Sequence, residues 1–106
     1  MATRAALASS DDRALVRDEV HYRARGIGGD GQPFNLLIVN ISAMGLMARC
    51  ETPLGVDDRI RVLLPVIGGV MAQIRWSLGG RIGCELEQTI ALADYYELLA
   101  VLMKGK

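Results

Sequence analysis

The sequence has very little of the chemistry that metal sites and acid–base catalysis require. It contains one histidine, His21, and two cysteines, Cys50 and Cys84, with no CxxC motif. Transition-metal sites need clusters of such ligands, and a reactive cysteine needs a neighbouring positive charge or helix N-terminus. His21 falls on the polar side of an alternating segment and is interpreted as a solvated strand residue. We therefore expect no enzymatic activity, no metal site and no cofactor.

The two cysteines stand 34 positions apart, each inside a predicted strand. Two buried, reduced thiols are the favoured interpretation. A disulfide stays open as the alternative, but only if the two strands are paired neighbours.

Net charge and aromatic side chains are also lacking. Twelve basic residues balance 12 acidic ones, and aromatics make up only 5% of the chain. Proteins that bind nucleic acid use strong positive charge, and those that bind single strands add aromatic stacking platforms. A small barrel that binds RNA or single-stranded DNA is thus disfavoured, and we expect no DNA or RNA partner. Neutrality still allows a local basic patch.

Long hydrophobic runs are missing. The charge-free stretch from Val62 to Ile74 contains Pro65 and is shorter than the roughly 20 residues that a membrane-spanning helix needs. The N-terminal residues lack the apolar region of a signal peptide. We expect a cytoplasmic location and no membrane insertion.

Short apolar segments separated by glycine-rich turns fill residues 19–88. Val20 to Ala24 alternates with polar residues at a period of two, and similar segments recur about every ten residues. Turns are predicted at residues 26–33, at Gly68-Gly69 and at Leu78-Gly79-Gly80. The pattern predicts an all-β core of about six short strands in an antiparallel barrel or sandwich.

The two ends of the chain differ from this core. Residues 1–18 have few bulky apolar groups and are predicted to form a flexible N-terminal arm. Residues 89–106 are predicted to form a C-terminal α-helix capped by Thr89, with apolar residues at helical spacing. This helix would pack on the barrel; a partner-binding helix is the alternative.

The segment NISAMG places Asn40, Ser42 and Gly45 at the end of a predicted strand. Within a strand, Asn40 and Ser42 would point to the same face, and Gly45 would allow a tight backbone turn just beyond. One interpretation is a local turn in which the side chains satisfy backbone groups. The other is a polar junction that binds a ligand.

The segment RALVR places Arg13 and Arg17 four residues apart, immediately before the first strand. Both could lie on a solvated helix face, paired with nearby acids such as Asp12 and Asp18. Arginine is, however, the residue best suited to grip phosphate or a guanine edge with two hydrogen bonds.

Together these segments resemble the PilZ domain family, whose pattern is RxxxR on an N-terminal arm followed by (D/N)xSxxG between two strands. Further similarity lies in PLGVDDRIRVLLP and in the tryptophan-and-glycine hairpin AQIRWSLGGRIGCEL, so that the resemblance covers residues 10–90. It implies a six-stranded antiparallel barrel with arm 1–18, barrel 19–88 and helix 89–106.

The resemblance also implies a function, which is binding of the bacterial second messenger cyclic di-GMP. Arg13 and Arg17 would then clamp the nucleotide, Asn40 and Ser42 would offer hydrogen bonds, and Gly45 would allow close backbone approach. The domain would act as a stand-alone receptor that relays binding to an unidentified downstream protein. The alternative is a PilZ-like interaction module that binds no nucleotide. Because Asp11, Asp12 and Asp18 flank the arginines, we expect modest affinity.

Overall fold

The structure is a computed structural model that describes residues 14–104. The described residues form strands and a C-terminal helix in the predicted order. The elements are β1 Asp18–Ile27, β2 Pro33–Ile41, β3 Gly45–Arg49, β4 Arg59–Leu64, β5 Gly68–Leu78, β6 Arg81–Leu86 and α1 Leu92–Lys104. Arg13 and the rest of residues 1–13 lie outside the described part of the chain.

The six strands close into an antiparallel barrel in the order β1-β2-β3-β6-β5-β4. Neighbouring strands pair along their lengths, and the ring is closed by a short β1–β4 pairing in which Arg25 faces Leu63 and Ile27 faces Arg61. This confirms the barrel over the sandwich. Each of the six strands thus has a paired neighbour on both sides over at least part of its length.

The barrel interior is filled by the apolar residues of each alternating strand. In β4, for example, Ile60, Val62 and Leu64 are buried, while the residues that alternate with them, Arg59, Arg61 and Leu63, are exposed. The bulkiest completely buried side chains are Ile38, Ile41, Leu46, Ile60, Val62, Ile74, Leu98 and Leu102. Since two of these come from α1, the helix completes the core rather than standing apart from it. No helix between residues 14 and 104 combines the length and apolarity needed to cross a membrane.

Two hairpin turns show where sequence patterns succeed and fail. Gly79 and Gly80 both have positive φ, as the two-residue turn between twisted strands requires, and the predicted turn is confirmed. The predicted turn at Gly68-Gly69 is displaced, because these glycines already pair in β5. The chain reverses just before them, with Val66 at a φ of 70°, a value that β-branched residues rarely adopt.

The helix begins later than the sequence predicted. Thr89 is not its cap, because α1 starts at Leu92 and the first helical turn is closed by Tyr95 N–H donating to the Ala91 carbonyl at 2.8 Å. Ile90 is instead tied to the barrel: its N–H donates to the carbonyl of Ala43 at 2.8 Å, and its side chain is buried. The segment that precedes α1 is thus held against the barrel at Ile90, and the helix begins only after this contact.

Tyr95 fastens α1 to the barrel where β1 begins and β2 ends. Its side chain is buried, and its hydroxyl lies 2.7 Å from Asp18 Oδ2 and 2.9 Å from the carbonyl oxygen of Ile41. Burial, followed by the hydrogen bond to Asp18, raises the pKa of Tyr95 above its ordinary value. The hydroxyl is therefore a neutral donor throughout the physiological range.

We predict that Tyr95→Phe lowers the free energy of unfolding by about 1–3 kcal/mol, because the Asp18 carboxylate and the Ile41 carbonyl, which share the single hydroxyl proton of Tyr95, lose their donor. Urea denaturation measures the change. The matched control is Tyr96→Phe on the neighbouring, exposed ring, which is expected to leave stability within about 0.5 kcal/mol of the parent. Equal effects of the two substitutions would contradict this role for Tyr95.

Both cysteines are free and buried. Their strands do pair, but Cys84 faces Leu46, and Cys50 follows the end of β3 four positions further along. At about 3.3 Å per residue this separation exceeds the reach of a disulfide.

Candidate ligand site

The segment from Ser42 to Gly45 is a turn organised by the serine hydroxyl. Ser42 Oγ accepts hydrogen bonds from the backbone N–H groups of Met44 and Gly45, both at 3.2 Å, and Ser42 N–H donates to the Gly45 carbonyl at 2.8 Å. Ser42 is 2% exposed. The local-turn interpretation is therefore correct for its hydroxyl. Because β2 ends at Ile41, the expected same-face alignment of Asn40 with Ser42 does not arise.

Gly45 is required by close packing between strands. A Cβ at this position would lie 2.5 Å from the carbonyl oxygen of Cys84, on the paired strand β6. No side chain fits without separating the two strands. The turn and the first residue of β3 are thereby pressed against β6.

The structure brings the two sequence motifs together. Arg17 Nη1 donates to Asn40 Oδ1 at 2.8 Å, across 23 positions of the chain. Asn40 is half-buried, and its amide nitrogen lies 3.6 Å from the sulfur of Met47. Arg17 itself is exposed, so its remaining donors are open to solvent. Arg13, its motif partner, lies outside the described residues.

Two β-bulges determine which side chains face this region. In β2, Ile38 and Asn40 pair with Ala48 and Met47, so that one extra residue, Val39, interrupts the alternation. In β5, Ile74 and Trp76 pair with Cys84 and Gly83, so that Arg75 is the extra residue. Bulges re-aim side chains and are common beside functional sites. Here the two bulges turn the side chains of Asn40 and Trp76 to the outside of the barrel. Both lie on the wall formed by β2, β3, β6 and β5, which also contains Gly45.

A cavity of about 320 Å³ lies at this junction. It is lined by Leu15, Arg17, Ser42, Met44, Gly45, Arg75, Trp76, Gly83, Cys84 and Glu85. We call it the junction cavity. Of the predicted site residues, Arg17, Ser42 and Gly45 line it directly, and Asn40 is joined to it through Arg17.

Trp76 is the site residue that sequence reasoning missed. Its indole lies directly over Gly83, where a Cβ would collide with Nε1, and 40% of the residue is exposed. Glycine at 83 therefore makes room for a flat aromatic ring on the barrel wall. Simple alternation could not assign a face to Trp76 because of the bulge. The available signal was a lone tryptophan beside a glycine-rich hairpin.

The junction cavity is lined by two arginines, Arg17 and Arg75, and only Arg75 forms an ion pair within residues 14–104. Arg75 forms an ion pair with Glu85, with Nε at 2.8 Å from Oε1, which largely neutralises both groups. Within residues 14–104, no carboxylate lies within salt-bridge distance of Arg17. The carboxylate next to it in sequence, Asp18, accepts instead from Tyr95. Among residues 14–104, the guanidinium of Arg17 is thus the cation of this cavity that no carboxylate neutralises.

The described residues offer little for catalysis. His21 is exposed on the outer side of β1, and residues 14–104 contain no cluster of three or more potential metal ligands. Burial raises the pKa of Cys84 to about 12, so its sulfur is a protonated thiol at neutral pH. What the cavity provides is a cation, an amide and an aromatic face, which together suit binding of a planar anionic molecule.

Comparisons with known proteins identify the fold. No protein-family model and no curated protein sequence matches the chain. Among solved structures, the PilZ domain of CeSA from a cellulose-synthesising bacterium superposes with a TM-score of 0.59 at 13% identity, covering 84% of this chain and 96% of that domain.

Two structures of MrkH from K. pneumonia also match, one of them in the apo state. Both superpose with a TM-score of 0.55, at 17% and 19% identity, and cover 86% and 85% of this chain. This chain spans about half of MrkH, 48% and 50% in the two structures. At these identities the likeness defines architecture, and it agrees with the barrel order and the C-terminal helix. The chain therefore has the fold of a PilZ domain.

Proposed function

We propose that this PilZ-like domain is a receptor for cyclic di-GMP. The observation that carries the proposal is the hydrogen bond between Arg17 and Asn40, which joins the RxxxR and NxSxxG motifs at the rim of the junction cavity. A chance RxxxR segment would have no reason to meet the second motif. Cyclic di-GMP carries two phosphates and two guanines, which match an available guanidinium beside a polar and aromatic surface.

Each site residue has a distinct role in the proposal. Arg17 and Arg13 bind phosphate and guanine, and Asn40 both orients Arg17 and offers its amide to a base. Trp76 supplies a face on which a base stacks, an interaction worth about 1–3 kcal/mol. Ser42 and Gly45 act chiefly through the turn, since the hydroxyl already accepts two backbone donors.

The size of the junction cavity indicates how the ligand is held. Its 320 Å³ is at the lower end of the range for ligand sites, about 300–1,000 Å³. The described residues thus accommodate part of the dinucleotide. We infer that Arg13 and the arm contribute the remaining contacts, and that the ordered arm presents a surface to a downstream protein in the cytoplasm.

A second candidate is an interaction module that signals without a nucleotide. It is favoured by three exposed apolar side chains near the junction cavity: Leu15 at 56%, Val16 at 55% and Leu78 at 78% exposure. Such exposure suits a protein partner. It would be preferred if cyclic di-GMP fails to bind folded protein and a stoichiometric partner is recovered.

The tryptophan provides a direct test of where the nucleotide binds. Trp76 is the sole tryptophan of the chain, so tryptophan fluorescence, excited at a wavelength that tyrosine does not absorb, reports on the junction cavity. We predict that cyclic di-GMP quenches this fluorescence in a saturable manner, because a guanine stacks on the indole. GMP at the same concentration serves as control and should have a far smaller effect. Binding detected by calorimetry with unchanged fluorescence would place the nucleotide elsewhere.

A further inference from the structure

A second and larger groove lies on the outer wall of the barrel, away from the junction cavity. Its volume is about 710 Å³, and it crosses β4, β1, β2 and β3. Three exposed arginines line it, Arg23 and Arg25 from β1 and Arg49 from β3. We call it the arginine groove. It shares no lining residue with the junction cavity.

The strand register arranges the arginines in a row. Arg23 faces Leu37 on β2, Leu37 faces Arg49 on β3, and Arg49 faces Arg81 on β6. With strands about 4.8 Å apart, the row from Arg23 to Arg81 spans roughly 14 Å. Arg25 lies one step along β1, between Leu63 and Asn35. The wall therefore presents Arg23 and Arg49 on either side of the apolar Leu37, with Arg81 directly beside Arg49.

These arginines have no carboxylate partner within salt-bridge distance among residues 14–104. Both ion pairs in that part of the chain use other arginines, Arg59 with Glu87 and Arg75 with Glu85. One acid, Glu51, also lines the groove. A protein with zero formal net charge thus concentrates unneutralised positive charge on one wall. Adjacent like charges such as Arg49 and Arg81 are unfavourable unless an anion lies between them.

The geometry suits an extended acidic peptide. Side chains on one face of an extended chain recur about every 6.7 Å, so three alternate acids span about 13 Å, close to the length of the arginine row. Leu37 is half-buried and Leu63 is 39% exposed, and both can contact apolar side chains of such a peptide. At Leu37 and Arg49 both edges of the strand are already paired, so a partner that lies there is recognised through side chains rather than as an extra strand.

Nucleic acid fits the same wall less well. Among the residues that line the groove, the aromatic side chain is Tyr22, which is half-buried, whereas single-strand binders offer successive bases several stacking faces. The Glu51 carboxylate would also repel a phosphate backbone. Acidic side chains of a peptide can be spaced to avoid it.

We propose that the arginine groove is a docking surface for an acidic, partly apolar segment of a partner protein. The surface acts independently of the junction cavity, so it would recognise its partner whether or not cyclic di-GMP is the ligand of that cavity. Rim charges of this kind raise the association rate and give a steep dependence on salt.

The test uses the full chain and a fluorescein-labelled peptide in which glutamate alternates with leucine over about nine residues. Fluorescence anisotropy is expected to show binding that Arg23→Gln/Arg49→Gln weakens about tenfold or more, as loss of charge-assisted contacts implies. The control variant, Arg59→Gln/Lys104→Gln, makes the same change in net charge outside the groove and should bind like the parent. A peptide with glutamine in place of glutamate should not bind.

Four results would overturn the proposal. The first is that the parent protein does not bind the peptide, and the second is that the groove variant and the control variant lose the same amount of peptide affinity. The third is that a single-stranded oligonucleotide binds more tightly than the peptide. The fourth is that the parent protein associates with itself and that only the groove substitutions abolish this self-association. A cyclic di-GMP titration of the groove variant separates this surface from the proposed receptor site. Unchanged nucleotide affinity supports two surfaces. A lost affinity would be a fifth contrary result and would assign the groove to the nucleotide instead.

Discussion

Replacing Arg17 with alanine is expected to weaken cyclic di-GMP binding about 10- to 100-fold, the effect of losing a hydrogen bond to a charged group. The substitution removes the exposed guanidinium that the structure places at the junction cavity, together with its bond to Asn40. That bond is on the surface, so the free energy of unfolding should fall by less than about 1 kcal/mol. Calorimetric titration and urea denaturation measure the two quantities separately.

The matched control is Arg61→Ala. Arg61 is likewise exposed, on β4, and lines neither the junction cavity nor the arginine groove. The Arg61→Ala substitution removes the same charge as Arg17→Ala, so a general electrostatic effect on nucleotide affinity would appear equally in both variants. Nucleotide affinity in Arg17→Ala that equals the parent's would refute the clamp role of Arg17, whatever Arg61→Ala shows.

Gly45→Ala is expected to be among the most destabilising small substitutions, at about 1–3 kcal/mol, the range for forcing a methyl group into packed space. The added Cβ would meet the Cys84 carbonyl at 2.5 Å, and that carbonyl belongs to the backbone of a paired strand and cannot rotate away. The turn organised by Ser42 would be displaced with β3. Binding at the junction cavity should weaken as well.

Gly29→Ala provides the comparison. A Cβ there has its nearest neighbour, the Arg59 carbonyl oxygen, at 4.0 Å, and the backbone at Gly29 does not have positive φ. Stability should be unchanged or rise by about 0.4–1 kcal/mol through a less flexible unfolded chain. If Gly45→Ala unfolds at the same urea concentration as Gly29→Ala, the packing explanation of Gly45 is wrong.

The sequence pattern was sufficient for an antiparallel all-β core of about six strands, and the resemblance to PilZ domains was needed to predict that the core is a closed barrel. Alternation in segments such as Arg59–Leu64 is strict, and Gly79-Gly80 permits one kind of hairpin turn, so local pattern and tertiary structure agree. The same resemblance predicts that Arg17 and Asn40 serve one site, and the structure places their side chains in hydrogen-bond contact. The predicted ligand roles of these residues, and those of Arg13, Ser42 and Gly45, stay predictions.

The failures have tertiary causes. Bulges in β2 and β5 break the two-residue period, so alternation could not show that Trp76 shares a wall with Gly45. The helix start moved past Thr89 because Ile90 is held by the Ala43 carbonyl, a contact between distant segments. The arginine groove is built from four strands, and the register that aligns Arg23 with Arg49 exists only in the folded barrel.

The measurement that tests the central claim most directly is isothermal titration calorimetry of the full chain with cyclic di-GMP, repeated with Arg13→Ala/Arg17→Ala. Micromolar or tighter binding, at about −8 kcal/mol or better, is predicted for the parent, with no measurable binding to a double variant of unchanged thermal stability. A flat titration of folded parent protein, or equal binding by parent and variant, would contradict the receptor function and leave only the barrel.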